Sequence, residues 1–236
     1  MSELLLTVMQ GARRVMAAQA INANNLANVS TDGFRAELVH IGGLAEGDAI
    51  SSTPDLRVGT VRTTGNALDV ALTDQGWIAI QTPEGTEGYS RRGDLHVDAF
   101  GQLVNGIGQP ILGNGGPIAL PPFQRIDITS DGSIAIVPAG AEADTLAVVD
   151  RIKLVNPDPA RLVRGEDGTL RMNGGAQAVP DPLVSIQSGS LEGSNVNAVG
   201  EMLKMIDLAR QFEAQVKLMR TAEKNSSDLA TVLRLN

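Results

Sequence analysis

The sequence contains no cysteine, and this single absence removes several classes of function. There is no disulfide framework, no thiolate nucleophile and no thiolate ligand for a metal. The chain has two histidines, His40 and His96, and they do not stand at a spacing typical of a zinc or iron site. We therefore expect neither a metal nor any other cofactor.

Positive charge is also scarce: 19 lysine and arginine residues stand against 27 aspartate and glutamate residues. Nucleic-acid binding needs clustered basic residues, and the pair Arg91-Arg92, which we interpret as solvated, is too small to bind a polyanion. No run approaches the roughly 20 apolar residues that cross a bilayer, so we expect no membrane insertion. The first residues lack the basic leader of a cleavable secretion signal.

Groups that could perform catalysis are few and scattered. Four aspartates could act as acid and base or bind calcium, but each stands beside a glycine or at a strand end, where aspartate is usually a turn residue. They are Asp69, Asp74, Asp94 and Asp98. The glycine pairs at 106–108 and 113–116 lack the lysine and serine or threonine of a phosphate-binding loop. We predict that the protein is not an enzyme and has no small-molecule substrate.

Glycine and proline are abundant only in the middle of the chain, between residues 42 and 193, and this composition indicates short strands joined by many turns. From about Ala67 onward, strand-like segments alternate with turn residues at intervals of about ten, without intervening helical segments. Trp77, the only tryptophan, is expected in the core. We predict an α+β fold whose mainly antiparallel β body is a sandwich or an open barrel.

The segment from Asn197 to Asn236 has the pattern of one long amphipathic helix. Apolar residues recur at alternating spacings of three and four, as in a heptad seam, and charged residues occupy the opposite face. At about 1.5 Å per residue the helix would be on the order of 50 Å long, more than a small domain usually covers. The seam therefore needs a partner, and we predict a subunit interface at Met202, Met205, Ala209, Phe212, Val216 and Met219.

A second helix is predicted from about Ser2 to Asn28, with apolar residues at the same spacings. The two helices can form a hairpin on their own domain, which is the commoner arrangement, or their seams can be buried between subunits. The length of the helices and the confinement of their apolar residues to one face favour assembly between chains. We expect the N-terminal and C-terminal helices to pack against each other. The interface residues predicted here are Leu5, Val8, Ala12, Val15 and Leu26.

Four asparagines, at positions 22, 24, 25 and 28, crowd the end of the first helix. The asparagine amide competes for backbone hydrogen bonds, so this density weakens an isolated helix unless the amides find partners. One interpretation is hydrogen bonding across an interface by Asn24, Asn25 and Asn28. The other is a frayed helix end with solvated amides.

The run Asn24-Asn25-Leu26-Ala27-Asn28-Val29-Ser30-Thr31-Asp32-Gly33-Phe34-Arg35 resembles the N-terminal signature of the bacterial flagellar rod and hook proteins, in which such a run closes the first helix. Further matches lie at residues 64–72, 76–80, 89–94, 98–104 and 191–197 and in the closing helix. The overall length, the short connector, Trp77 and the segment 164–168 are similar to a proximal-rod member of the family.

The resemblance implies a structural subunit of the basal-body rod, which stacks helically with copies of itself and with other rod proteins and transmits torque from motor to hook. It also implies passage through the flagellar export apparatus into the periplasm-spanning rod without a cleavable signal peptide. The terminal helices, residues 1–35 with 195–236, would form a coiled-coil-like domain at the inner rod wall. Residues 36–66 would be a connector, and residues 67–194 an outer β-rich domain.

Two alternatives stay open at this stage. A distal-rod or hook subunit of the same family shares most of these motifs. A more remote alternative is a β-sandwich binding module on a coiled-coil oligomerisation stalk, which would need a concave site with concentrated polar groups that the sequence does not indicate.

Overall fold

The computed structural model describes residues 2–41, 50–142, 145–165 and 168–234, with side chains for 6–40, 52–142, 145–165 and 168–225. The fold is α+β and mainly antiparallel β, and the described strands form no closed barrel. The chain divides into two compact units. The helical unit comprises Met1–Val29, Ala36–Asp55 and Val196–Asn236, and the β unit comprises Ser30–Arg35 and Leu56–Asn195. The segment 36–66, predicted as a connector, is thus shared between the two units.

The helical unit contains the two predicted terminal helices, α1 (Ser2–Ala27) and α2 (Ala198–Arg234). The Asn197 side chain begins α2 as an N-cap, because its Oδ1 accepts a hydrogen bond from the Gly200 amide at 3.1 Å. Between the helices in sequence, β1 (Glu37–Ile41) and β2 (Ile50–Pro54) pair antiparallel, with Glu37 opposite Pro54. These two strands lie in the predicted connector, residues 36–66.

The β unit consists of short strands that all pair antiparallel within the described residues. They are β3 (Val61–Thr63), β4 (Val70–Leu72), β5 (Trp77–Gln81), β6 (Glu87–Ser90), β7 (Leu95–Val97), β8 (Leu103–Asn105), β9 (Phe123–Ile128), β10 (Ser133–Pro138), β11 (Ala147–Arg151), β12 (Leu154–Val155), β13 (Leu162–Arg164), β14 (Leu170–Met172), β15 (Ile186–Ser188) and β16 (Ser190–Glu192). The largest sheet has the order β12-β5-β6-β14-β13, a second sheet has the order β11-β10-β9, and the remaining strands form the pairs β15-β4, β16-β3 and β7-β8.

Two clusters of apolar side chains form the core of the β unit. The larger consists of isoleucine, leucine and valine, and the first four residues of β10 show the expected alternation, since Ile134 and Ile136 are buried whereas Ser133 and Ala135 are half-buried. The smaller cluster surrounds Trp77 and Tyr89, so Trp77 is a core residue as predicted. Burial of the Tyr89 hydroxyl, which donates to Glu87 Oε1 at 3.0 Å, raises the pKa of this tyrosine.

Strand boundaries differ from the prediction where the chain changes sheet. The sequence pattern of residues 145–155 predicts one strand, but β11 pairs with β10 whereas β12 pairs with β5. Between them Ile152 N bonds to Gly132 O and Lys153 N to Leu112 O, so the chain leaves one sheet and joins another. Strands β3, β13 and β16 were not predicted, because they have three residues each and little apolar periodicity.

Candidate assembly interface

The helices α1 and α2 pack against each other within one chain and run antiparallel. Asn22 lies opposite Glu201, and Gly11 lies close to Gln215. The buried side chains of α1 recur every three or four residues: Val8, Ala12, Val15, Ala18, Asn22 and Asn25. The matching face of α2 is buried at Glu201 and half-buried at Met205, Leu208, Phe212, Gln215, Met219 and Ala222. Both helices therefore present a heptad-like inner face.

The structure separates the predicted interface residues into two sets. Most lie on or beside the inner faces: Val8, Ala12, Val15, Asn25, Met205, Phe212, Val216 and Met219. Asn24, Met202 and Ala209 are exposed, Leu26 and Asn28 are half-buried, and the side chain of Leu5 lies outside the described residues. For all of these residues, on the inner faces and elsewhere, contact between subunits stays a prediction.

A second apolar stripe follows the outside of α1. It consists of Leu6, Met9, Met16, Ala20, Ala23 and Ala27, interrupted by Arg13, and all seven side chains are exposed. Their spacing also alternates between three and four residues, so the stripe is a second seam of the same helix. Sequence reasoning missed it because only one seam was sought, although the same periodicity shifted along α1 would have revealed it.

Helix α2 carries an exposed apolar patch of its own in its first turns. Val199, Met202, Leu203 and Ile206 are each more than half exposed. Farther along, the outer positions are charged and exposed: Arg210, Glu213, Lys217 and Arg220. We call the α1 stripe and this α2 patch the outer apolar surface. Contiguous exposed apolar surface on a chain typically marks an interaction site.

The asparagines at the end of α1 find partners within the chain. Asn25 forms a two-way pair with the backbone of Glu37, donating to the carbonyl at 3.0 Å and accepting from the amide at 2.8 Å. Asn22 donates to Glu201, and Asn28 donates to the backbone carbonyl of Asn24 at 2.9 Å. The frayed-end interpretation is therefore wrong for Asn22 and Asn25, which are buried.

The second half of the signature and the matched segment 89–94 meet in the β unit at the carboxylate of Glu192, which lies in the matched segment 191–197. Glu192 is 1% exposed and binds two buried guanidinium groups. Arg91 Nε donates to Oε2 at 2.7 Å, while Oε1 accepts from Arg35 Nη2 and from the Gly59 amide. Arg91 is therefore not solvated, which corrects the interpretation of the Arg91-Arg92 pair. Sequence reasoning missed Glu192 because no local pattern marks a buried ion pair.

Gly33 fits against the same cluster because it lacks a side chain. Its φ is +70°, and a Cβ at this position would lie 2.5 Å from the Arg91 backbone. The Gly33 amide donates to the carbonyl oxygen of Glu192 at 2.6 Å. Arg91 in addition donates to the carbonyls of Gly76 and Asp74 and lies 5.8 Å from the centre of the Trp77 ring. Residues that are far apart in sequence thus share one polar centre.

The described residues offer little for catalysis. A polar cleft of about 500 Å³ in the β unit contains Glu87 and Lys153, but these two charges bind each other at 2.7 Å. Within the described ranges, histidine and acidic residues do not form a group of three that could hold a metal ion. Neither described helix combines the length and apolar character needed to cross a membrane. Asp98 is a turn residue as predicted, since its carboxylate accepts the Phe100 and Gln102 amides at 2.8 Å, whereas the Asp94 carboxylate binds Arg92 Nε at 2.7 Å.

Comparison with known proteins identifies the family. The model described as "Flagellar basal body rod FlgEFG protein C-terminal" matches residues 187–232, and "Flagellar hook protein FlgE/F/G D1 domain" matches residues 71–136. The chain is 40% identical to the flagellar basal-body rod protein FlgF of Escherichia coli (strain K12) and 38% identical to that of Salmonella typhimurium (strain LT2), with all of each chain covered. It is 29% identical to the rod protein FlgG of Bacillus subtilis (strain 168), over 95% of this chain and 96% of that protein.

These matches include the segments that form the inner helix face and the Glu192 centre, and they do not favour the binding-module alternative. The chain therefore belongs to the family of flagellar basal-body rod proteins, is a structural subunit of the rod, and resembles the FlgF members over its full length.

Proposed function

We propose that the outer apolar surface of the helical unit is the surface through which this rod subunit stacks on copies of itself and on other rod proteins. One observation supports this proposal above the others. The outer stripe of α1 keeps the heptad-like spacing from Leu6 to Ala27, although none of the described residues covers it. Exposed apolar surface arranged in this way typically marks a site where another protein surface packs.

The amount of apolar surface is sufficient for assembly. Each large apolar side chain that leaves water contributes roughly 1.5 to 3 kcal/mol when it is fully buried. The outer apolar surface contains seven such side chains: Leu6, Met9, Met16, Val199, Met202, Leu203 and Ile206. Association costs on the order of 4 to 15 kcal/mol in lost freedom, so several of these residues acting together can offset it. The α1 stripe and the α2 patch differ, which suits a heterologous contact that continues as a filament.

The inner faces have a supporting role in this proposal. Val8, Ala12, Val15, Met205, Phe212 and Met219 hold the two helices together, and Asn24, Met202 and Ala209 contact neighbouring subunits. The helical unit then forms a coiled-coil-like inner wall of the proximal rod, and the β unit, with a sandwich-like arrangement of its sheets, forms the outer part. The subunit transmits torque toward the hook, reaches the rod through the flagellar export apparatus, and catalyses no reaction.

The test is complementation of a flagellated host in which this chain is the only rod protein of its kind. A Met16→Asp/Ile206→Asp variant places a charge on each half of the outer apolar surface. We expect basal bodies without a complete rod and loss of swimming, as seen by electron microscopy and motility assays. The matched control is Gln211→Asp, an exposed polar position of α2, which should support normal rods. Complete rods built from the double variant would overturn the proposal.

A further inference from the structure

One layer of the inner helix face is polar. Asn22 and Glu201 are 4% and 7% exposed and face each other across the α1–α2 contact. Asn22 Nδ2 donates to Glu201 Oε2 at 2.5 Å, and the second carboxylate oxygen of Glu201 accepts from Lys204 Nζ, also at 2.5 Å. The carbonyl oxygen Oδ1 of Asn22 is buried and has no hydrogen-bond partner among the residues that the structure describes. The layer is therefore paired through one amide hydrogen bond and is not fully satisfied.

Stability alone does not account for such a layer. Burial of polar groups is costly unless every donor and acceptor is satisfied, and replacing a buried polar pair by apolar residues is often neutral or stabilising. The best-attested use of a polar residue at an inner heptad position is to select one register and one partner at some cost in stability. The unsatisfied Asn22 oxygen fits this use, because a polar layer that selects the register of the two helices need not stabilise them.

This helix pair has a need for such selection. Helix α1 presents two apolar seams with the same spacing, and the inner face of α2 repeats every seven residues. Hydrophobic periodicity alone permits a shift of one heptad, or contact through the outer stripe, with similar apolar burial. A shift of one heptad would place Asn22 opposite Leu208 instead of Glu201. The Asn22 amide would then face an apolar side chain and lose its hydrogen bond to the Glu201 carboxylate.

We propose that the Asn22–Glu201 pair is the register determinant of the terminal helices. It directs the inner face of α1 onto α2 of the same chain in one alignment and so leaves the outer stripe available. The assignment of the outer stripe to neighbouring subunits rests on the proposed function, whereas the register assignment concerns a single chain.

Because the chain contains no cysteine, introduced cysteine pairs report the register without background. A Cβ at Gly11 would lie 3.1 to 3.2 Å from the side-chain amide of Gln215, so cysteines at 11 and 215 report the observed alignment. Cysteines at 11 and 208, or at 11 and 222, report shifts of one heptad in either direction. Each pair is oxidised in dilute monomer, and intrachain cross-linking is measured by mass spectrometry.

We expect the parent chain to cross-link at 11/215 and not at the shifted pairs. In an Asn22→Leu/Glu201→Leu background, the shifted pairs should cross-link at least tenfold more than in the parent, while helical circular dichroism is retained. The single variant Glu201→Gln, made in the parent chain with Asn22 present, keeps an oxygen acceptor for the Asn22 amide. It should therefore show the parental cross-linking pattern. If the leucine variant loses its helical signal, Asn22→Ala/Glu201→Ala takes its place with the same expectation.

A parental cross-linking pattern in the folded apolar variant would overturn the register proposal. Failure of the proposed function looks different, since it would appear as complete rods from Met16→Asp/Ile206→Asp. The register is measured on isolated monomers and rod assembly is measured on basal bodies. Either proposal can therefore be overturned without the other.

Discussion

Glu192 shows how one side chain ties distant parts of the β unit together. Its carboxylate accepts from Arg35, Arg91 and the backbone amide of Gly59, and its own carbonyl accepts from Gly33. Two buried guanidinium groups pair with this carboxylate, and breaking a buried ion pair by removing one partner is strongly destabilising. The family signature therefore has a structural role that extends beyond the end of α1.

We predict that Glu192→Gln destabilises the β unit by about 3 kcal/mol or more, because it removes the charge from a buried carboxylate that pairs with two buried guanidinium groups. The free energy of unfolding from urea titration measures this loss. The matched control is Asp32→Asn, which removes a 3.0 Å ion pair with the largely exposed Arg62 and should cost at most about 1 kcal/mol. Similar losses in the two variants would contradict the importance assigned to the Glu192 centre.

At the scale of the element, α1 is a helix with two apolar faces that serve different purposes. Two adjacent residues lie on different faces: Val15 is 9% exposed on the inner face, and Met16 is 55% exposed on the outer stripe. Gly11 and the small side chains of Ala12 and Ala18 allow α2 to approach the inner face closely. One element thus supports the fold of its own chain and, in our proposal, the contact with the next chain.

We predict opposite consequences for the same substitution at these two neighbours. Val15→Asp buries an unpaired carboxylate and should destabilise the helical unit by about 3 kcal/mol or more, measured by the loss of helical circular dichroism on heating. Met16→Asp should change stability by less than about 0.5 kcal/mol, because the position is exposed, while it weakens self-association. Equal destabilisation by both would show that the outer stripe is covered within the chain.

At the scale of the whole molecule, negative charge and exposed apolar surface act against each other. The net charge of −8 makes separate copies repel, whereas the outer apolar surface favours their association. Salt weakens the repulsion, since the Debye length falls from about 10 Å at 0.1 M to about 3 Å at 1 M, but it does not weaken apolar contacts. Assembly of the isolated subunit should therefore depend on ionic strength.

We predict that the purified chain is monomeric at low salt and associates as salt is raised toward 1 M, measured by sedimentation velocity at several protein concentrations. The Met16→Asp/Ile206→Asp variant should stay monomeric under the same conditions, because it lacks the apolar contact. Association of this variant to the same extent as the parent would mean that another surface drives self-assembly.

Local patterns were sufficient to predict much of the molecule. Periodicity alone identified α1 and α2 to within a few residues, and Asp98 marked a corner of the β unit. These features depend on residues close together in sequence, so short-range spacing determines them. Short strands such as β3 and β16 escaped prediction, because three residues carry too little periodicity to stand out.

Tertiary structure alone decided which apolar face of each helix is covered and which polar residues are buried. Spacing places side chains on a common face of a helix, but it does not say whether that face meets the same chain, another chain or water. Arg91 looked like a surface residue until Glu192, 101 positions away, supplied its counter-ion. Burial of a charge is set by whatever partner the fold brings to it, and no local segment of sequence contains that partner.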